Sequence, residues 1–149
     1  MRYIENAPPA GCLFCAALSS ADDRVQLVLD RRADAVILLN KYPYGHGHLM
    51  VAPRRHVAHP EELADAEYEA LMHEVRRTAA AIGRAFKPEG MNIGMNIGRA
   101  AGAGVADHCH WHVLPRWNGD TNFMPLIGEV RVISEHLRAT YDRLRPLFE

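Results

Sequence analysis

The sequence has few cysteines, no long apolar run and no excess of charge of either sign. Three cysteines are an odd number, which fits poorly with the paired disulfides of a small secreted protein, so we expect a reducing, cytoplasmic location. No apolar stretch approaches the roughly 18 residues that suggest a membrane span, and no signal-peptide pattern opens the chain. Lys and Arg number 17 and Asp and Glu 18, so bulk charge predicts neither nucleic-acid nor membrane binding. Such a balance is compatible with a small charged ligand in a local pocket.

The composition is otherwise that of an ordinary globular protein, apart from nine histidines. The 149 residues are 48% hydrophobic and 23% charged, which is close to the average for folded domains. A chain of this length can bury a core of its own. There is no boundary or long linker in the sequence, so residues 1–149 are predicted to form one domain, with 1–10 as an N-terminal arm.

Apolar periodicity predicts an α+β fold. Short runs of apolar residues that end at turn or proline signals predict strands at 25–29, 35–39, 48–53, 91–98 and 108–115. In the fourth strand, Met and Ile alternate with Asn and Gly, so one face is predicted to pack on a helix while the other is nearly bare. A period of 3.6 residues predicts a long helix at 60–86, and Ser134 is the predicted N-cap of a last helix. These elements predict an antiparallel sheet of about five strands with one long helix and a C-terminal helix.

Three histidines alternate with other residues in the last predicted strand. Alternate residues of a strand share a face, so the three imidazoles are predicted to face one side and the residues between them the core. Two chemistries use such an array. One is metal ligation by neutral imidazoles; the other is nucleophilic catalysis, in which one imidazole attacks while its neighbours orient it and stabilise charge. The imidazoles are those of His108, His110 and His112, and the core residues are Cys109, Trp111 and Val113.

The pair Cys12-x-x-Cys15 has the spacing of a zinc knuckle. The same spacing occurs in redox couples, and an unbound pair of thiols is a third possibility. A redox motif should follow a strand and open a helix, whereas this pair follows Pro8, Pro9 and Gly11. The sequence context therefore favours zinc, which needs two further ligands to complete a tetrahedral site.

The segment His108-Cys109-His110-Trp111-His112-Val113 resembles the alternating histidine signature of the histidine triad superfamily of nucleotide hydrolases and transferases. The resemblance covers nearly the whole domain, because Asn40 ends a strand, Gly47-His48-Leu49 opens the next, and a long helix and a polar strand precede the histidines. The stretch 111–117 and its continuation through 119–125 are similar to the bacterial branch related to diadenosine tetraphosphate phosphorylases and fragile histidine triad hydrolases. The resemblance implies the α+β fold of that superfamily and a homodimer with a continuous, larger sheet.

The resemblance implies a covalent transfer in two steps. The middle histidine, His110, would attack the α-phosphorus of a nucleotide and form a nucleotidyl-histidine intermediate, which requires a neutral imidazole. A backbone carbonyl would hold its other ring nitrogen. His112 would donate a hydrogen bond to phosphate oxygens as charge develops, and His48 is similar to a supporting histidine of the family.

The resemblance also implies substrate contacts. Asn40 matches a ribose-binding asparagine, and Asn96 stands where relatives carry an amide that contacts the phosphates. Backbone N–H groups of the glycine-rich loop, which contains Gly104 and Val105, could bind phosphate. Many relatives carry a glutamine near Ala103, so one expected contact to the leaving group is missing here. From the residues alone, Asn40 could equally build a turn, and the loop glycines could be turn residues.

The resemblance completes the zinc site. In zinc-containing members, the cysteines are joined by the first triad histidine and by a histidine after the third strand. The implied ligands are Cys12, Cys15, His56 and His108. The ion would be structural and would hold the N-terminal arm against the histidine segment, residues 108–113. Magnesium is expected only in association with a polyphosphate substrate.

The expected reaction is nucleotidyl transfer from a dinucleoside polyphosphate, diadenosine tetraphosphate above all, to phosphate or water. Two alternatives stay open, which are hydrolysis of nucleoside phosphoramidates and a zinc-containing module that binds nucleotides without turnover. A third makes the triad itself a catalytic metal centre. The remaining histidines are expected on the surface, and they are His46, His59, His73 and His136.

Overall fold

A computed structural model describes residues 11–120 and 134–148 of the chain. The predicted N-terminal arm and the part of the family resemblance at 121–125 lie outside these residues. No helix in the described ranges combines the length and the apolar character needed to cross a membrane.

The described residues form helices on both faces of one sheet. The helices are α1 (Leu13–Ser19), α2 (Asp23–Gln26), α3 (Asp65–Phe86) and α4 (Ser134–Leu144). The strands are β1 (Val28–Arg31), β2 (Ala35–Leu39), β3 (Leu49–Pro53), β4 (Gly90–Gly94) and β5 (Trp111–Arg116). Short 3-10 turns lie at Pro60–Glu62, Arg99–Ala101 and Arg145–Phe148. In the described part of the chain the strands form a five-stranded antiparallel sheet in the order β1-β2-β3-β5-β4, which confirms the predicted α+β fold.

The two faces of the sheet carry different clusters of apolar residues. Alternation along β3 sends Leu49 and Val51 into the core beneath α3, while Met50 and Ala52 face α1. The second group, here called the α1-side cluster, consists of Phe14, Ala17, Val28, Val36, Leu38, Met50 and Ala52. Along α3 the period of 3.6 residues is confirmed, and the buried residues are Leu71, Val75, Thr78, Ala81 and Ile82.

The strand predicted at 25–29 is wrong at its start. Asp22 caps a short helix there, because its carboxylate accepts a hydrogen bond from the Val25 N–H at 3.0 Å. Leu27 ends that helix with a left-handed φ of 59°, and the strand begins only at Val28. Local capping therefore outweighs the apolar run.

The strand predicted at 91–98 is shorter than expected and only half of its apolar face is covered. It ends at Gly94, and while Met91 and Met95 pack against the core beneath α3, Ile93 and Ile97 are 50% and 41% exposed. The reason is position, because β4 is the outermost strand of the sheet. The predicted packing of all four residues on the helix is therefore wrong.

Candidate functional site

The triad histidines lie on the face of the sheet that α1 covers. Only His112 belongs to a strand, where it pairs with Met50 of β3 and Gly94 of β4. His108 and His110 precede β5. A hydrogen bond from the Cys109 N–H to Val57 O, 2.7 Å long, connects this segment to the loop after β3. The residues between the histidines, Cys109, Trp111 and Val113, pack in the core beneath α3, and burial raises the pKa of the Cys109 thiol to about 11.

One hydrogen bond fixes the tautomer of His110. Its Nδ1 lies 2.9 Å from the carbonyl oxygen of His108, and because a carbonyl can only accept, Nδ1 carries the proton and donates. In the neutral ring, Nε2 then keeps its lone pair. The side chain is only 3% exposed, and this burial lowers its pKa while the bond to His108 opposes the shift. The arrangement leaves His110 as a neutral imidazole with a nucleophilic Nε2.

A chain of hydrogen bonds fixes the tautomers of His48 and His112. The backbone N–H of Tyr44 donates to His48 Nδ1 at 3.1 Å, so the proton of a neutral His48 sits on Nε2. That Nε2 lies 2.9 Å from His112 Nδ1 and donates to it, which leaves the proton of His112 on its own Nε2. The chain therefore presents a donor, His112 Nε2–H, next to a nucleophile, with the His110 and His112 ring centroids 4.8 Å apart.

The imidazoles of His48 and His112 are both neutral at physiological pH. Burial, and secondarily the charge of His112, lower the pKa of His48 to about 3. Burial, and secondarily the charge of His110, lower the pKa of His112 to about 4. Since both values lie well below 7, the tautomer assignment describes the working form of the protein.

The predicted substrate residues lie at different depths in the structure. Asn40 is buried, its Nδ2 lies 3.4 Å from His48 Nδ1, and its Oδ1 accepts from the Tyr42 N–H at 3.0 Å. The turn suggested by the sequence is therefore present, and the amide also contacts the supporting histidine. Asn96 is half-buried near Gly102, Gly104 is exposed and Val105 packs against the α1-side cluster. Their roles toward a substrate stay predictions.

Two cysteines and two histidines converge in a cluster that could hold a metal ion. One ligand atom from each of Cys12, Cys15, His56 and His108 lies within 4.8 Å of all the others. His108 Nδ1 is 3.3 Å from Cys12 Sγ, 3.7 Å from Cys15 Sγ and 3.2 Å from His56 Nδ1. A tetrahedral ion with bonds of about 2.0–2.3 Å holds its ligand atoms about 3.3–3.8 Å apart, so the three distances from His108 Nδ1 fit such an ion.

The hydrogen bonding around His108 supports the same interpretation. Its Nε2 lies 2.8 Å from Pro53 O, and because the carbonyl only accepts, Nε2 carries the proton. Nδ1 therefore turns a lone pair toward the two sulfurs and the second imidazole. This lone pair can coordinate a cation, and a carbonyl behind the distal nitrogen is the usual support of a histidine ligand.

The local structure around the cysteines differs from the sequence-based expectation. Cys12 is the N-cap residue of α1 and Cys15 lies in its first turn, so the pair does open a helix, as a redox motif would. The metal interpretation now depends instead on the two imidazoles beside the sulfurs, which a redox couple does not need.

One residue near the site was missed from the sequence. The ring of Phe14 lies 4.8 Å from that of His110, and its place between two metal-spaced cysteines was the available signal. His46 is exposed, as predicted, and its ring lies 4.8 Å from that of Phe86. His59 and His73 are exposed as predicted, and the side chain of His136 lies outside the described residues.

A family model described as HIT domain matches residues 24–119. The chain belongs to the HIT domain family. This membership confirms the resemblance to the histidine triad superfamily, whose defining histidines all lie within the matched range. That residues 1–149 form one domain stays a prediction.

Three similar proteins are informative about this HIT-domain chain. It is 43% identical over 118 residues to AP-4-A phosphorylase of Mycobacterium tuberculosis, an alignment that covers 79% of this chain and 60% of that protein. It is 33% identical over 107 residues to adenosine 5'-monophosphoramidase of Schizosaccharomyces pombe, covering 72% of this chain and 75% of the other. A solved structure of a Zn-bound histidine triad family protein from Mycobacterium smegmatis superposes with a TM-score of 0.73 at 26% identity and 92% coverage of both chains.

Proposed function

We propose that this protein transfers a nucleotidyl group from a dinucleoside polyphosphate, with diadenosine tetraphosphate as the first candidate, through a nucleotidyl-His110 intermediate. The observation that carries the proposal is the bond from His110 Nδ1 to the His108 carbonyl, which leaves Nε2 as a buried, neutral nucleophile beside a hydrogen-bond donor. The relative named AP-4-A phosphorylase supports the choice of substrate. Because the chain spans only 60% of that relative's length, the relative's activity is a proposal for this chain.

In the first step, His110 Nε2 attacks the α-phosphorus. A P–N bond forms, the P–O bond to the rest of the polyphosphate breaks, and that oxygen leaves with the bonding electron pair. The positive charge that develops on the ring is stabilised by the His108 carbonyl at Nδ1. His112 Nε2–H donates to a phosphoryl oxygen as its charge grows, and His48 keeps that donor in place.

In the second step, phosphate or water attacks the same phosphorus. The new P–O bond replaces the P–N bond, the electron pair returns to His110 Nε2, and the proton of the attacking group is released to solvent. Asn40 would contact the ribose, and Asn96 with the backbone of Gly104 and Val105 would contact the phosphates. Magnesium would enter with the polyphosphate, whose charge it offsets.

The Cys12, Cys15, His56 and His108 cluster is proposed to hold structural zinc, supported by the ligand spacing and by the Zn-bound neighbour. The ion would neutralise the thiolates and join α1 to the histidine segment. His108 links this cluster to the nucleophile, because its Nδ1 faces the cluster while its carbonyl oxygen accepts the hydrogen bond from His110 Nδ1.

We also propose a homodimer that forms through β4. In the part of the chain that the structure describes, β4 pairs with β5 and its other edge has no neighbour, while Ile93 is 50% exposed. We expect sedimentation to give a dimer mass for the wild type and a monomer mass for Ile93→Lys, because a charge at the paired edges would be buried. Val25→Lys, at a residue 66% exposed on α2, is the matched control and should stay dimeric. A monomeric wild type contradicts the proposal.

The reaction is tested by incubating the protein with diadenosine tetraphosphate, with and without inorganic phosphate, and separating the products. ADP and ATP that form only with phosphate identify a phosphorylase. AMP and ATP that form without phosphate identify a hydrolase that uses water on the same intermediate. Absence of both sets of products contradicts the proposed substrate.

A second candidate is hydrolysis of a nucleoside phosphoramidate, which the similarity to a monophosphoramidase favours. The same His110 would attack, and an amine would leave in place of the polyphosphate. Adenosine 5'-phosphoramidate offered in parallel separates the two, because a phosphoramidase would release AMP from it while leaving diadenosine tetraphosphate intact.

A further inference from the structure

A phenylalanine lies between the two cysteines of the metal cluster and packs on the proposed nucleophile. Phe14 is fully buried at 0% exposure. Its ring centroid lies 4.8 Å from that of His110 and 5.0 Å from that of His108. Its flanking residues Cys12 and Cys15 place their sulfurs 3.3 Å and 3.7 Å from His108 Nδ1. One short segment thus contacts both the metal cluster and the nucleophile.

The hydrogen bond to the His108 carbonyl does not by itself fix the orientation of the His110 ring. It is a single contact at Nδ1, 2.9 Å long, and a rotation about the Cβ–Cγ bond breaks it and turns the ring plane at the same time. The ring neighbours of His110 among the described residues are Phe14, tilted by 40°, and His112, at 77°. Of these two rings, that of Phe14 is apolar and fully buried, so its packing limits rotation of the His110 ring.

The plane of the ring decides whether His110 can attack. The lone pair of Nε2 lies in the plane of the imidazole, so rotation of the ring directs it away from the phosphorus. Misplacement of a reacting atom by about 1 Å can cost about a hundredfold in rate.

The position of Phe14 is itself held at both ends of α1. At the N-terminal end, the flanking cysteines belong to the metal cluster. At the C-terminal end, the guanidinium of Arg31 donates to the carbonyl oxygens of Ala17 at 2.7 Å and of Leu18 at 3.1 Å, which the end of a helix otherwise leaves without partners. The ring of Phe14 is therefore part of a fixed support.

We propose that Phe14 is a positioning residue for His110, so that the segment between the cysteines sets the ring plane of the nucleophile in addition to carrying metal ligands. This inference rests on the proposed function, because a fixed ring plane matters to the reaction only if His110 attacks.

The test compares Phe14→Leu with the wild type and with Leu18→Ala. Leu18 is the matched control, because it lies in the same helix and packs against the α1-side cluster, to which Phe14 belongs. Phe14→Met is measured in parallel, because its flexible side chain refills the space if leucine does not. Metal content is measured first, and a variant that retains the metal of the wild type is carried forward. Two readouts follow, which are the ring-nitrogen NMR signals of His110 without substrate and the kinetics with diadenosine tetraphosphate.

For the Phe14 variant we expect loss of the single Nδ1–H tautomer of His110 and a fall in kcat of about tenfold or more, with KM changed less than about twofold. Leu18→Ala should keep both wild-type values. A Phe14 variant that retains metal, the wild-type tautomer and the wild-type kcat overturns the inference, as does loss of metal from both Phe14 variants, which would make the role structural. If the wild type fails to cleave the substrate, the proposed function fails, and the NMR signals alone still decide whether Phe14 orients His110.

Discussion

His110→Ala is expected to lower the turnover of diadenosine tetraphosphate by about a thousandfold or more, the range seen when a covalent nucleophile is removed. The alanine has no atom that can form the P–N bond, and the neighbouring His112 has its proton on Nε2, so it offers a donor and no lone pair toward the substrate. Binding should change little, since the proposed phosphate and ribose contacts involve other residues. The measurement is kcat together with the mass of the intact protein after mixing with substrate at neutral pH, where only the wild type should gain a nucleotidyl group.

His73→Ala is the matched control for this experiment. His73 is an exposed histidine on α3, and its removal should leave both turnover and covalent labelling unchanged. If His110→Ala retained turnover, the nucleophile would have to be another group and the proposed mechanism would be wrong. If the wild type bound nucleotide without turnover and His110→Ala bound equally well, the protein would be a nucleotide-binding module.

The side of the sheet on which the triad lies could be predicted from the sequence because alternation along a strand is a strict geometric rule. Cys109, Trp111 and Val113 pack in the core beneath α3, and the histidines face the other side. The alternation continues before the strand begins at Trp111, because Cys109 still packs in the core while His108 and His110 contact Phe14 on the other face. Spacing gave two of the four residues in the metal cluster, but His56 and His108 come from distant parts of the chain and only the family resemblance paired them.

The hydrogen bonds that assign the tautomers could not be predicted. They depend on backbone groups, namely the Tyr44 N–H and the carbonyls of Pro53 and His108, whose positions follow from the tertiary fold. The exposure of Ile93 was missed for a similar reason, because the apolar pattern does not reveal which strand lies at the edge of the sheet. Phe14 was missed because the motif containing it was interpreted only through its cysteines.

Replacing both cysteines, as Cys12→Ser with Cys15→Ser, is expected to remove the metal and to destabilise the fold. An ion that binds only the folded state stabilises it by about 4 kcal/mol when present at a thousand times its dissociation constant, and the double variant should lose a free energy of unfolding of that order. The physical reason is that α1 and the histidine segment are joined through the cluster, where His56 Nδ1 is 3.3 Å from Cys15 Sγ and 3.2 Å from His108 Nδ1. The measurements are elemental analysis of the purified protein and thermal unfolding.

Cys109→Ala tests whether this effect belongs to the cluster or to any loss of a thiol. Cys109 is buried in the core on the opposite side of the segment, so its replacement should cost some packing free energy but retain the full metal content. A chelator added to the wild type should reproduce the loss seen in the double variant, because both remove the same ion. Metal retained by the double variant but lost from His110→Ala would instead place the ion at the triad and make His110 a ligand. That outcome would contradict the structural role, and it would also contradict the mechanism, since a nucleophile bound to a metal has no lone pair left for phosphorus.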